Sequence, residues 1–272
     1  MSGIVFAGIA PHPPLLIPDI GGSRIEQVRD SQRALGEFSR RLVAARPQTV
    51  VVISPHSPLD PQDFTVRASA DLQGDFRDFY ARHVRLRFPN DPEMIETIKR
   101  AAVREGVRLK ELARDHPLDH GAMVPLYYLL EAGWEGPTVV IGFTHRLTED
   151  HLAFGRAIET AARESDRRVA LVASGDLSHR LIEDGPYEYE PTAHLFDEQI
   201  VAAIKQGDAR GITNIDHDLR LRAGECGYRS ILVALGSVRE NLRDHQVLSY
   251  EGPFGVGYLV AVLFDDSKSA AS

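Results

Sequence analysis

The sequence predicts one α/β domain built on a mixed, largely parallel sheet flanked by helices, with its site beyond the strand ends. Three observations predict it. Short apolar runs recur that suit buried strands, Gly3–Ala10, Thr49–Ile53 and Val169–Ala173. Between the first two lies Arg24–Ala45, where Ile25, Val28, Leu35, Phe38 and Leu42 recur at helical spacing. Strand and helix patterns then alternate along the chain, with no repeat, linker or low-complexity block.

The elements follow in order. Pro11, His12, Pro13 and Pro14 end the first strand with a rigid turn, and Ser54-Pro55-His56 ends the second. Strand, helix and strand in the first third suggest a parallel crossover unit. Phe64–Ala70 and His83–Phe88 alternate apolar with polar residues, as half-buried strands do. Pro92–Glu105 reads as a helix, and Gly121–Leu130 opens another. Thr138–Phe143 is a strand, Glu149–Glu164 a helix and Val169–Ala173 a strand buried on both faces. Phe196–Ile204 and Tyr228–Val238 read as helices, with closing strands at Val247–Tyr250 and Gly257–Phe264. One domain over residues 1–265 is expected, with a frayed polar tail over 266–272.

The totals exclude several classes. The net charge of −8 over 272 residues argues against a broad nucleic-acid surface. The apolar runs are too short to span a bilayer. Gly21-Gly22 lacks the context of a nucleotide loop. Cys226 is the single cysteine, so no internal disulfide forms, which fits a reducing cytoplasm. A homo-oligomer is the default expectation, dimers being commonest.

Chemistry concentrates where strands end. His12 follows the first strand and His56 the second, while His179 follows Val169–Ala173 through Ser174-Gly175-Asp176-Leu177-Ser178. Parallel neighbouring strands would bring these three imidazoles together. Flanking prolines stiffen the mounts of His12 and His56, which suits metal ligands, although prolines also simply end strands. Two imidazoles and one carboxylate on one face is a typical oxygen-activating iron(II) set. The candidate carboxylate is Glu225 in Gly224-Glu225-Cys226-Gly227, although an acid between glycines is more often a solvated turn. Asp119 reads as a helix cap. Asp176 reads equally as a cap or as a carboxylate orienting a histidine. Ser178 and His179 are adjacent, and adjacent side chains rarely face each other, which argues against a hydrolase dyad. Tyr187 and Tyr189 read as a surface loop, with a lid as the alternative.

Five ordered strings carry a resemblance: Ala10-Pro11-His12-Pro13-Pro14, Ser54-Pro55-His56, Leu118-Asp119-His120-Gly121, Ser174 to His179, and Gly224 to Gly227. From about residue 3 to residue 264 the chain resembles the class III extradiol ring-cleavage dioxygenases, typified by the catalytic subunit of protocatechuate 4,5-dioxygenase. Within them it looks most like the branch linked to the AmmeMemoRadiSam system and Memo-like proteins, which Leu248–Tyr258 also resembles.

The resemblance implies iron(II) held by His12, His56 and Glu225, with His179 as catalytic base and His120 lining the pocket. It implies a catechol-like substrate and molecular oxygen. Zinc and copper suit the same donor types. A Memo-like metal protein with a redox or assembly role and no ring cleavage is the alternative. Memo-like relatives place a cysteine in the metal set, which draws Cys226 in, although a lone cysteine usually behaves as a small buried apolar group.

Overall fold

The computed structural model describes residues 2–113 and 116–267. Ten strands are present among them: β1 Gly3–Ala10, β2 Thr49–Ser54, β3 Phe64–Val66, β4 Asp71–Phe76, β5 Ala81–Pro89, β6 Leu109–Glu111, β7 Thr138–Gly142, β8 Arg168–Ser174, β9 Gln246–Glu251 and β10 Tyr258–Asp265. Eight of them form one sheet in the order β6-β3-β7-β2-β8-β1-β10-β9. The centre, β7-β2-β8-β1, is parallel throughout. β10 pairs antiparallel with β1 and with β9, and β3 pairs antiparallel with β7. β4 and β5 form a separate antiparallel hairpin.

The helices are α1 Pro18–Gly21, α2 Arg29–Ala44, α3 Pro92–Arg104, α4 His120–Glu131, α5 Thr148–Glu164, α6 Ala193–Gln206, α7 Ala209–Thr213, α8 His217–Ala223 and α9 Tyr228–Ser237. They cover both faces of the sheet. Strand alternation divides the core between them. Val51, Ile53, Leu171 and Ala173 point into one layer with residues of α3, α5, α6 and α9. Val50, Val52, Ala170 and Val172 point into the other, with residues of α2, α4 and the hairpin. Burial on both faces explains why these strands read as unbroken apolar runs.

Three expectations change. The predicted helix over Arg24–Ala45 begins later, because Gly22–Val28 is wound as a 3-10 segment and the α-helix starts at Arg29. β1 and β2 are parallel but not neighbours, since β8 lies between them and hydrogen-bonds to both. The strand expected over Phe64–Ala70 stops at Val66, and Asp71–Phe76 forms the unpredicted strand β4. Of the expected frayed tail, residues 268–272 lie outside the described residues. Ser267 is bonded back to the Asp265 carboxylate.

The register puts the strand ends at one edge. Ala10 sits opposite Ser174, Ile53 opposite Ala173 and Ser54 opposite Gly142. The segments carrying His12, His56 and Asp176 therefore leave the sheet side by side.

Candidate metal and active site

His12 is buried just past β1. Its backbone N–H donates to Asp176 Oδ1 at 3.0 Å, and its Nδ1 lies 3.0 Å from Ser174 Oγ. The Ser174 hydroxyl donates to the Gly121 carbonyl, so toward His12 it acts as an acceptor. His12 is thereby held with its proton on Nδ1, and its Nε2 lone pair is aimed into the site. That Nε2 lies 3.0 Å from His56 Nε2 and 3.7 Å from both Cys226 Sγ and Asp176 Oδ2.

His120 comes from the first turn of α4. Asp119 caps that helix by accepting from Ala122 N. The same carboxylate accepts from the hydroxyls of Ser54 and Ser57 and pairs with buried Arg67 at 3.0 Å. Burial acts to raise its pKa, but Arg67 and the hydroxyl and amide donors outweigh it, so the carboxyl stays below its ordinary value. The capping reading of Asp119 thus holds, and the cap also ties α4 to the end of β2. Gly121 lets the two approach, since a Cβ there would stand 2.5 Å from Ser54 Oγ. The His56 and His120 rings lie 4.1 Å apart between centroids, and those of His12 and His120 5.6 Å.

On the other side of His12 are Asp176 and Cys226. Gly175 and Gly227 bring their two loops together, because a Cβ on Gly175 would fall 2.1 Å from Gly227 Cα. The amides of Cys226 and Gly227 both donate to the Asp176 carbonyl. Asp176 caps no helix; its carboxylate faces His12 and it serves as an orienting group. Burial pushes its pKa up to about 6.

Charge on the imidazoles is disfavoured. Burial, followed by the neighbouring His56, lowers His12 well below the usual value and His120 to about 4. Burial also lowers His179, partly opposed by Asp176. Neutral imidazole is the metal-binding form. Among the described residues two sets place their donor atoms close enough to hold one ion: His12, His56 and His120, and His12, Asp176 and Cys226. A buried histidine with a fixed tautomer and a free Nε2, facing a second imidazole, fits a divalent metal.

Glu225 is placed differently. Its carboxylate accepts from Tyr228 N at 2.6 Å, at the start of α9, and it belongs to neither set. Burial raises its pKa, opposed by the Tyr228 amide and by Arg229 and Arg220. His179, expected to converge with His12 and His56, joins neither set; it feels the Asp176 carboxylate and donates its backbone N–H to the Ala223 carbonyl. Ser178 turns its hydroxyl to the same carbonyl rather than to His179. Tyr187 is about half exposed and stands edge-on to His179 at 5.1 Å, while Tyr189 is exposed. Sequence reasoning missed Phe79, whose ring meets His120 at 5.5 Å from the turn of the β4–β5 hairpin. It also missed Arg67, the buried partner of Asp119. No local signal marks Phe79. Arg67 falls on a polar position of the alternating Phe64–Ala70 run, where a solvent-facing side chain is the ordinary expectation.

Residues 7–261 match the family described as the catalytic LigB subunit of aromatic ring-opening dioxygenase. The chain belongs to that family. It is 33% identical over 264 residues to protein CA_C1420 of Clostridium acetobutylicum, covering 94% of this chain. The chain spans only 56% of that protein's length. It is 26% identical over 188 residues to the 4,5-DOPA dioxygenase extradiol of Beta vulgaris, covering 67% of this chain and 69% of that one. With the 3,4-dihydroxyphenylacetate 2,3-dioxygenase of Escherichia coli it shares 25% identity over 193 residues, covering 66% and 69%. The fold is similar to that in the crystal structure of uncharacterized protein JW3007 from Escherichia coli K12. There the TM-score is 0.62 at 17% identity, over 95% of this chain and 98% of the other. Among the described residues no helix is long and apolar enough to cross a membrane.

Proposed function

We propose that this LigB-family chain is an iron(II)-dependent extradiol dioxygenase that opens a catechol-like ring beside its two hydroxyls, using molecular oxygen. One observation carries the reading: the imidazoles of His12, His56 and His120 converge at the strand ends of a chain that belongs to a family of ring-opening dioxygenases. His12 and His56 would hold the metal, with a third donor beside them. Iron(II) bound there supplies a site for substrate and oxygen together and accepts charge.

The chain's own groups do the rest. His179, kept neutral by burial, accepts a hydroxyl proton from the substrate at a ring nitrogen. Asp176 beside it favours the imidazolium that results. His120, fixed at the start of α4 and backed by Phe79, lines the place where the ring lies. Its pKa of about 4 keeps it an uncharged hydrogen-bonding partner. Phe79 and Met123 carry apolar surface to that wall and exclude water.

The third ligand in this reading is Glu225. To serve, its carboxylate must leave Tyr228 N and turn toward His12. A second reading draws on Cys226, whose sulfur already lies 3.7 Å from His12 Nε2. A His12, His56 and Cys226 set is softer and favours zinc or copper. It would accompany the Memo-like role in redox chemistry or assembly. A single cysteine beside the site accords with a reducing, cytoplasmic setting for either reading.

Ferrous loading under argon, followed by oxygen admission with a panel of catechols, tests the choice. Uptake that needs both iron and a catechol supports ring cleavage. Stoichiometric metal binding with no uptake on any catechol favours the second reading.

A further inference from the structure

A cavity of about 1030 Å³ opens outward from the imidazoles, with His56 and His120 in its wall. Pockets for drug-sized ligands run from about 300 to 1,000 Å³, so this one far exceeds the needs of a single aromatic ring. Its outer wall is the β4–β5 hairpin. The turn of that hairpin places Phe79 against His120. β5 starts two residues later and carries Arg82, Arg85 and Arg87 along the same wall.

Charge in this cavity runs against the chain as a whole, whose net is −8. Arg67, Arg77, Arg82, Arg85 and Arg87 line it against the carboxylates of Asp75, Asp78 and Asp119. Three of the arginines are neutralised: Arg67 by Asp119, Arg77 by Asp75 and Arg87 by Asp71. Arg82 and Arg85 have no ion-pair partner among the described residues; Arg85 Nε reaches only the Arg82 carbonyl, at 3.4 Å. Both are exposed on a concave wall where lining arginines outnumber lining carboxylates five to three, which leaves an excess of positive charge. Guanidinium groups so placed recognise planar or tetrahedral oxyanions through paired N–H donors.

We propose that this wall binds the anionic arm, a carboxylate or a phosphate, of an extended ligand whose other end reaches His56 and His120. Under the ring-cleavage reading, on which the substrate class rests, that ligand is a catechol carrying its anion several bonds from the ring. The anion site itself requires neither iron nor turnover.

The test is calorimetric titration of the full chain under argon with three probes that share a dihydroxyphenyl ring. They are 3-(3,4-dihydroxyphenyl)propionate, its methyl ester, and the matching ethylphosphonate. Hydrogen bonds to a charged group contribute about 1.5–3 kcal/mol, so the anions should bind roughly tenfold or more tightly than the ester. In the Arg82→Gln, Arg85→Gln double variant, which changes exposed side chains only, that preference should vanish. Whichever anion binds more tightly identifies the arm. Equal binding of acid and ester, binding of none of the three, or a preference that survives the double substitution overturns the proposal. Anion-selective binding without oxygen uptake in the iron-loaded protein would sustain the anion site while ring cleavage fails.

Discussion

Two groups of donors meet at His12, and they are built differently. On one side His56 and His120 are imidazoles mounted on the end of β2 and the start of α4, and His56 is open to solvent. On the other side buried Asp176 and partly buried Cys226 sit on loops locked backbone to backbone by Gly175 and Gly227. The open side offers room for substrate. The closed side offers charge and orientation. His12 alone belongs to both. The contrast teaches that His12 is the donor common to both sides, while the carboxylate of the proposed ligand set, Glu225, belongs to neither.

The largest expected effect is that of His12→Ala, which removes the shared donor. Metal content after ferrous loading and desalting, read by elemental analysis, should fall from about one equivalent to near zero, with the fold kept by circular dichroism. A variant that retains full metal would divide the two sets. Next comes His179→Ala. As a base beside the metal rather than a ligand, it should leave metal content unchanged and cut turnover about 10²–10⁴-fold. Loss of metal in that variant would move His179 into the ligand set.

The identity of the third ligand is then sharpened by Glu225→Gln against Cys226→Ser. Under ring cleavage the Glu225 variant should lose metal affinity by at least about tenfold, and the Cys226 variant should keep it, measured by competition with a chelator. The reverse order would favour the Cys226 set.

The smallest effect concerns a supporting carboxyl. Asp197 on α6 accepts from Ser178 N and Tyr250 OH, which steadies the segment leading to His179. Burial raises its pKa to about 7, partly opposed by those hydrogen bonds. Because the folded pKa lies above the unfolded one of about 3.9, folding takes up a proton between them. The contribution of Asp197 to stability therefore falls as pH rises from about 4 to about 7. Asp197→Asn should flatten that part of the stability-against-pH curve by an amount on the order of a few kcal/mol, read by urea unfolding at pH 5 and pH 8. An identical slope in wild type and variant would contradict the assignment.

How much of this was legible varies with how local its cause is. β1, β2 and β8 were legible because burial on both faces demands unbroken apolar residues. The insertion of β8 between β1 and β2 was not, since it follows from the path of the whole chain. β4 was hidden by its sequence, Asp-Leu-Gln-Gly-Asp-Phe, in which Gly74 packs against Leu118 and Met123 where a side chain would not fit. His12, His56 and His179 could be grouped because each follows a strand, whereas His120 entered only through the family resemblance, and it is His120 whose ring nitrogen joins those of His12 and His56. The distinct placement of Glu225 had a faint signal, since an acid three residues before an early helical amide is the spacing of a capping carboxylate.

The most direct test is oxygen uptake by the chain loaded anaerobically with iron(II), against a panel of catechols, with His12→Ala as the control. Uptake that requires iron, His12 and a catechol, with a ring-opened product, is the predicted result. One equivalent of bound iron with no uptake on any catechol would contradict ring cleavage and leave a metal site with another purpose.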